Sequence, residues 1–166
     1  MKGDPMSNLD NEPVKRVRDA LLAAGLEDKV IELKETAKTA ADAAKALNVE
    51  QGAIVKTLVF VVGEQPVMAL VAGDKTCKED ALPRALSLAG EVTPTTANDV
   101  QAATGFSIGG VAPIGSIMEL PVVIDVGLKR FEMLYAAAGH PHCVFPTNVT
   151  ELKRLTGGIV SYAIAE

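Results

Sequence analysis

The hydrophobic and polar positions of the chain alternate between strand-like and helix-like spacing. The run 54–62 is apolar or β-branched except at one position, which is typical of a strand buried on both faces. The turn-forming residues 63–66 come next, and 67–72 then predict the returning strand of a hairpin. Apolar residues at helical spacing after Pro13 predict a first helix that ends before Gly25.

Capping signals predict further short helices. In each, a Thr or Asn precedes an acidic residue by three positions, and the pairs are Thr39 with Asp42, Thr96 with Asp99 and Asn148 with Glu151. Another helix is predicted around residues 80–89, with Pro83 near its first turn. Strands are predicted at 30–33, 121–126, 142–145 and 159–164. Residues 132–138 fit either a helix or a strand, and we favour a strand that turns at Gly139.

The order of these elements predicts an α+β fold with a mixed sheet. Helices and strands are interleaved, but several neighbouring strands are joined as hairpins, which disfavours a regular βαβ repeat. A chain of 166 residues is ordinarily one domain. We therefore expect a flexible leader over residues 1–12 and a single domain over residues 13–166.

Lys56 is the exception within the apolar run 54–62. Alternate residues of a strand share a face, so Lys56 would lie beside Ile54 and Leu58. An ammonium buried without a partner is costly, so it either pairs or shifts its pKa. Two interpretations stay open: a lysine on a solvated rim, or a lysine at a pocket mouth that binds an anion.

Residues 106–115 form a short apolar loop with three glycines and a proline. Glycines allow a close approach of the backbone, and their amides can hold a carbonyl oxygen or an oxyanion. The same composition also suits an ordinary tight connection. Asp125, at the end of an apolar strand, is likewise either a site residue or a turn-forming residue.

Composition narrows the classes of function. The net charge of −5 argues against broad binding to nucleic-acid backbones, although it allows local contacts to one end of an RNA. No apolar run is long enough to cross a membrane, and we expect no secretory signal at the N-terminus. Cys77 and Cys143 lie far apart without a CxxC pattern, which favours reduced thiols and a cytoplasmic protein.

Other kinds of reaction chemistry receive little support. The chain contains no Walker-type phosphate loop, no GxGxxG after a strand and no GxSxG motif. His140, His142 and Cys143 are candidate metal ligands, but a fourth ligand is missing, so we expect no metal. Neither cysteine has the surroundings that would lower its pKa enough for a nucleophile.

Several stretches, taken in order, resemble the YbaK/ProX-like aminoacyl-tRNA deacylases, a family related to the editing insertion of prolyl-tRNA synthetases. The resemblance covers about residues 14–164. The most specific features are the lysine strand and the GxxxP loop. The stretches are 39–44, 52–58, 72–74, 104–115, 123–125 and 138–140.

The resemblance implies a partly barrel-like sheet flanked by helices, and a trans-editing hydrolase. Such a protein removes a wrongly attached amino acid from tRNA, here tRNA(Pro), without a cofactor. The implied partners are the acceptor end of aminoacyl-tRNA and prolyl-tRNA synthetase. No contact with a membrane is implied, and the resemblance does not define the oligomeric state. Because an aminoacyl ester is already activated, positioned water and backbone donors would suffice.

The resemblance also implies roles for individual residues. Lys56 would hold the phosphate and ribose of the terminal adenosine. The loop Gly109–Pro113 would contact the ester carbonyl and shape the amino-acid pocket. The implied catalytic residues are Lys56, Gly109 and Gly110, and the implied substrate-binding residues are Thr39, Pro113, Asp125 and His140.

The resemblance does not identify the amino acid that is removed. Some cysteine-specific members carry a serine and an acidic residue where this chain has Ala137 and Val144. We therefore expect a small amino acid, alanine first, with serine, threonine and cysteine open. The alternative is a module of the same fold that binds tRNA, a synthetase or another nucleic acid without catalysis.

Overall fold

A computed structural model describes residues 7–166 and confirms the α+β fold. The helices are Glu12–Ala23 (α1), Ala40–Leu47 (α2), Leu82–Leu86 (α3), Ala97–Thr104 (α4) and Val149–Thr156 (α5). The strands are Ile31–Glu32 (β1), Val55–Val62 (β2), Gln65–Ala72 (β3), Val92–Pro94 (β4), Val122–Asp125 (β5), Leu134–His140 (β6), Cys143–Thr147 (β7) and Ile159–Ser161 (β8). Within this part of the chain, no helix is long and apolar enough to cross a membrane.

The expected flexible leader lies partly outside the described residues, which begin at Ser7. From there the chain makes specific contacts before α1 begins. Asn8–Asp10 is a 3-10 turn, and the Glu32 carboxylate accepts hydrogen bonds from the Asn8 amide at 2.9 Å and the Ser7 hydroxyl at 3.1 Å.

The strands form two sheets. The larger has the order β4-β2-β3-β5-β8; its β2–β3 hairpin is antiparallel, whereas β5 runs parallel to both β3 and β8. The smaller sheet has the order β1-β7-β6. A parallel bridge between Ile54 and Tyr135 joins the two sheets beside β2. This connection makes the β-structure partly barrel-like, as expected.

The core lies on both faces of β3. Leu70 belongs to the main cluster, which fills the space between the sheets and α1, whereas Val71 belongs to a second cluster under α3. Every residue of 67–72 is buried. The strand buried on both faces is thus β3, and β2 is only partly covered, contrary to the expectation for 54–62.

The reason for the exposure of β2 is its short neighbour. β4 pairs only with residues Phe60–Val62, and within residues 7–166 the first half of β2 forms no strand ladder on that edge, where β6 reaches it only through the bridge at Ile54. Lys56 lies in this uncovered half. The pattern of apolar residues did not reveal β4, because Val92 is its only apolar β-former.

Helix boundaries follow the capping signals closely. The side chains of Thr39, Thr96 and Asn148 each accept a hydrogen bond from the amide three residues later, at the starts of α2, α4 and α5. The helix predicted at 80–89 is shorter, because Ser87 adopts a left-handed conformation (φ 56°) that ends it. The turn expected at Gly139 is instead a bulge within β6, which is a strand as predicted.

Candidate active site

A cavity of about 340 Å³ opens beside the uncovered half of β2. Its walls come from the start of α2, the glycine-rich loop and the smaller sheet. The lining residues are Ala37, Lys38, Thr39, Ala40, Ala43, Ile54, Val55, Lys56, Thr57, Leu58, Ile108, Gly109, Val111, Tyr135, Ala136, Ala137 and Val144. Small aliphatic side chains dominate the walls, and two lysines supply positive charge.

Lys56 lies at the border of this cavity and is half-buried. Its ammonium donates a hydrogen bond to the carbonyl oxygen of Lys75, in the loop after β3. Among the described residues, it forms no ion pair with a carboxylate. Its positive charge is therefore held in place without being neutralised, which suits a group that binds an anion.

Thr57 is a lining residue that sequence reasoning missed. Its hydroxyl oxygen is buried and finds no hydrogen-bond partner within residues 7–166. A buried hydroxyl left unpaired costs about 1–3 kcal/mol, and a polar ligand group would recover that cost. The available signal was a threonine in an otherwise apolar strand, but threonine is so common in strands that this signal was weak.

Gly109 contributes its backbone to the cavity wall. Its φ of +90° is left-handed, and an added Cβ would meet the Lys38 side chain at 2.7 Å. Among residues 7–166 its amide finds no acceptor. An N–H group that lines a cavity without a partner can bind a carbonyl oxygen or an oxyanion.

Gly110 packs behind the loop and does not line the cavity. An added Cβ would meet the His140 amide nitrogen at 2.8 Å, and the Gly110 carbonyl accepts a hydrogen bond from Gly139 at 2.9 Å. The Gly110 amide donates to the Ser107 carbonyl at 3.0 Å. This glycine thus allows two segments of backbone to approach closely.

Thr39 is the third of the expected site residues on this cavity, beside Lys56 and Gly109. Its hydroxyl accepts the Asp42 amide at 3.1 Å and so caps α2. The cap determines where α2 begins, and with it the position of the cavity wall that α2 supplies.

Pro113, Asp125 and His140 do not line this cavity. Pro113 lines a larger, separate hollow of about 720 Å³ near the end of α1. The buried Asp125 carboxylate accepts the Gly127 amide at 2.8 Å and the Ala72 amide at 3.3 Å, which is the turn-forming role left open by the sequence. The bond from Gly127 forms the turn after β5, and the bond from Ala72 ties the end of β5 to the end of β3.

His140 is engaged in a local hydrogen bond, and its surroundings disfavour the charged imidazolium. Burial, followed by the neighbouring His142, lowers the pKa of its imidazole. Its Nδ1 accepts the His142 amide at 3.0 Å, so the proton resides on Nε2. In the described part of the chain, no group of three or more His, Cys, Asp or Glu residues is arranged to hold a metal.

Neither cysteine is suited to nucleophilic attack. Burial is the main cause that raises the pKa of the Cys77 thiol to about 11 and that of Cys143 to about 11. Both cysteines are free thiols. At neutral pH they are protonated, and the thiol form is a poor nucleophile.

Comparison with known proteins identifies the family. The model of the aminoacyl-tRNA editing domain matches residues 34–155, which include every residue that lines the cavity. The chain belongs to this family. The resemblance to the editing insertion of prolyl-tRNA synthetases is thereby confirmed.

Relatives of this editing domain occur alone and within larger enzymes. The uncharacterized protein YwhH of Bacillus subtilis (strain 168) is 29% identical over 86% of this chain and 90% of its own length. The proline–tRNA ligases of Levilactobacillus brevis and Desulforamulus reducens are 33% and 35% identical over 51% and 64% of this chain. The match covers only 15% and 19% of those ligases, so the chain corresponds to a small part of each.

Solved structures confirm the fold of the editing domain. A candidate trans-editing enzyme for prolyl tRNA synthetase superimposes with a TM-score of 0.85 at 34% identity, over 94% of this chain and 98% of that one. A hypothetical protein superimposes with a TM-score of 0.82 at 26% identity, over 91% of this chain and 99% of that one.

Proposed function

We propose that this editing domain hydrolyses the ester of misacylated tRNA in trans, with alanyl-tRNA(Pro) as its substrate. The observation that carries the proposal is the cavity within the family-matched segment. It combines a cation at its border (Lys56), an unpaired hydroxyl (Thr57) and an unpaired amide (Gly109). Such an activity belongs in the cytoplasm, where tRNAs are charged.

The reaction needs no protein nucleophile. Water adds to the ester carbonyl, the bond to the ribose oxygen breaks, and the proton from water passes to that oxygen. The products are a free amino acid and a deacylated tRNA. The Gly109 amide would bind the oxygen on which negative charge develops, which is the kind of contact that accelerates acyl transfer most.

Lys56 and Thr57 are proposed to position the terminal adenosine. The Lys56 ammonium would bind its phosphate, because an ammonium without a carboxylate partner is available for one. The Thr57 hydroxyl would bond to the ribose or to the aminoacyl group. Holding the ester in a reactive position is itself a large contribution to such a reaction.

The size of the cavity supports a small amino acid. Ala40, Ala43, Ala136 and Ala137 lie on its walls, and about 340 Å³ is near the lower limit for small-molecule sites. Because one methylene is worth only about 1–3 kcal/mol, selection against the correct amino acid must be steric. We propose that alanine meets this requirement and that contact between the proline ring and these walls supplies the exclusion.

A binding module without catalysis is the second candidate. One observation favours it: the Gly110 amide already donates to Ser107, which leaves fewer backbone donors for an oxyanion. This candidate predicts that the protein binds tRNA but turns over no aminoacyl ester.

The substrate is tested with a panel of tRNA(Pro) charged with Ala, Ser, Thr, Cys or Pro. We expect fast deacylation of alanyl-tRNA(Pro) and none of prolyl-tRNA(Pro). Turnover of another misacylated species would correct the amino acid only. No turnover across this panel and a matching panel of alanine-charged non-cognate tRNAs would contradict the deacylase proposal and favour the non-catalytic binding module.

A further inference from the structure

A second polar hollow lies outside the cavity. It has a volume of about 530 Å³ and is formed by the turn after β5, by α5 and by β8. Its lining residues are Lys129, Val149, Thr150, Lys153, Arg154 and Val160. Three of the six are cations and none is acidic, in a chain whose net charge is −5. We call this hollow the basic groove.

The cations of the basic groove lack carboxylate partners. Among residues 7–166, Lys129, Lys153 and Arg154 take part in no ion pair. The acidic residue of α5, Glu151, is engaged elsewhere: it pairs with Lys29 at 2.5 Å and accepts the Thr147 hydroxyl at 2.9 Å.

Among residues 7–166, Arg84 of α3 also lacks an ion pair, but three other arginines are paired. Arg16, Arg18 and Arg130 each pair with a carboxylate at 3.0 Å or closer. Repulsion between unpaired cations is tolerated in the basic groove, which is expected where an anion binds.

Stabilisation of α5 explains only some of the cations in the basic groove. Lys153 and Arg154 lie in the last turn of α5, where cations stabilise the helix dipole. Arg154 also donates to the carbonyl of Ala24. Lys129 lies in the last turn of a different segment, the 3-10 turn Val126–Arg130, so the needs of α5 alone do not account for the third cation of the groove.

The basic groove is close enough to the cavity for one RNA to reach both. Lys129 lies six residues before Tyr135, which lines the cavity. Even fully extended, that segment spans at most roughly 20 Å. A separation of this size is one that the acceptor end of a tRNA can bridge, so contact with both places by one RNA is compatible with the fold.

We propose that the basic groove binds backbone phosphates of the tRNA acceptor stem, outside the catalytic cavity and without reading the bases. Lys129 and Lys153 supply point charges, Arg154 a forked donor, and the exposed Thr150 hydroxyl a further donor. This inference rests on the proposed function, because it assumes that RNA is the substrate. It predicts that the net acidic protein contacts the acceptor stem through one local surface, apart from the cavity that receives the 3′ end.

The test is the double variant Lys129→Glu/Lys153→Glu beside the matched control Lys15→Glu/Arg84→Glu. The control reverses two exposed cations on α1 and α3, neither of which lines the basic groove. Binding of uncharged tRNA is measured by fluorescence anisotropy over a range of salt concentrations, with circular dichroism to verify folding. We expect about tenfold weaker binding for the groove variant, and a salt dependence reduced by about two phosphate contacts.

Deacylation separates the groove from the active site. The groove variant is expected to raise KM for aminoacyl-tRNA with kcat retained, and to hydrolyse an aminoacylated CCA trinucleotide as the wild type does. If the wild type hydrolyses no ester, the proposed function fails, yet tRNA binding still tests the groove. Equal tRNA affinity and salt dependence in the folded groove variant and the wild type would overturn the inference. So would groove-dependent binding to anionic lipid vesicles with tRNA binding unchanged.

Discussion

Lys56 and Thr57 are adjacent in β2 and both line the cavity, although their side chains point to opposite faces of the strand. Consecutive strand residues point to opposite faces, so Thr57 faces the main core beside Val55, whereas Lys56 reaches the loop after β3. Both border the cavity because this half of β2 is an uncovered edge. The two residues therefore test different parts of the proposal.

The Thr57 hydroxyl is predicted to favour function at the expense of stability. In Thr57→Val, removal of an unpaired buried hydroxyl should stabilise the fold by about 1 kcal/mol. The same change should lower kcat/KM for deacylation by about tenfold or more, because a substrate contact is lost. Urea unfolding and single-turnover deacylation measure the two effects. Thr57→Ser, which keeps the hydroxyl, should retain activity; reduced stability in Thr57→Val with full activity would contradict this role.

The two loop glycines are predicted to differ in the cost of an added methyl group. In Gly110→Ala the methyl meets backbone atoms of His140 and Gly139 within 2.9 Å, and these cannot move independently, so we expect a loss of about 1–3 kcal/mol. In Gly109→Ala the obstacle is the flexible Lys38 side chain, and the left-handed φ adds about 1–2 kcal/mol. The free energies of unfolding of the two variants should therefore be similar, but their deacylation rates should differ.

The activity of the glycine variants is measured at matched folded fractions. Gly109→Ala should lower kcat, since it displaces the amide that lines the cavity. Gly110→Ala should lower the unfolding midpoint while the folded fraction keeps most of its kcat. The reverse order of the kcat losses would remove Gly109 from the proposed oxyanion contact.

At the scale of elements, the sequence predicted helix starts better than it predicted the sheet edge. Side chains such as Thr39 and Asn148 act locally, so their signals are readable from a few residues. The exposure of β2 depends on β4, a three-residue strand some 30 positions away in sequence, and local patterns do not carry that information. The bulge at Gly139 is likewise a place of long-range contact, since the Gly139 amide donates to the Gly110 carbonyl and Pro13 packs against it.

The caps of α2 and α4 provide a matched pair of variants. Thr39→Ala and Thr96→Ala each remove a capping hydroxyl, and each should cost about 1 kcal/mol of stability. Only α2 lines the cavity, so deacylation should fall in Thr39→Ala and stay near the wild-type level in Thr96→Ala. Thermal unfolding and deacylation rates at a temperature where both are folded measure the difference. Equal activity losses would mean that the cap acts only through global stability.

At the scale of the molecule, the expected site residues fall into two groups: some line the cavity, and others support the backbone around it. Residue patterns alone could not separate these groups. Lys56 and Gly109 were expected and line the cavity, whereas Asp125 and His140 support the backbone around it. A polar residue in an apolar run indicates a site or a structural hydrogen bond equally well. Only the three-dimensional contacts separate these two roles, and only they reveal that Lys129 and Lys153 converge.

The acidic net charge and the basic groove together favour RNA binding that is confined to a few cationic sites. A chain with net charge −5 repels most of a nucleic acid, so binding must concentrate where cations are unpaired. In the proposed complex these places are Lys56 at the cavity and the basic groove beside α5. Affinity should therefore be modest and strongly salt-dependent, with specificity determined by the cavity.

The central claim is that the cavity beside β2 is a deacylase active site, and Lys56→Ala tests it most directly. Single-turnover hydrolysis of alanyl-tRNA(Pro) is compared among the wild type, Lys56→Ala and Lys45→Ala, an exposed α2 lysine outside the cavity. We expect at least about a hundredfold loss in Lys56→Ala, corresponding to about 2.7 kcal/mol of transition-state stabilisation, with the fold intact. Lys45→Ala should match the wild type. Wild-type turnover by a folded Lys56→Ala protein would contradict the claim.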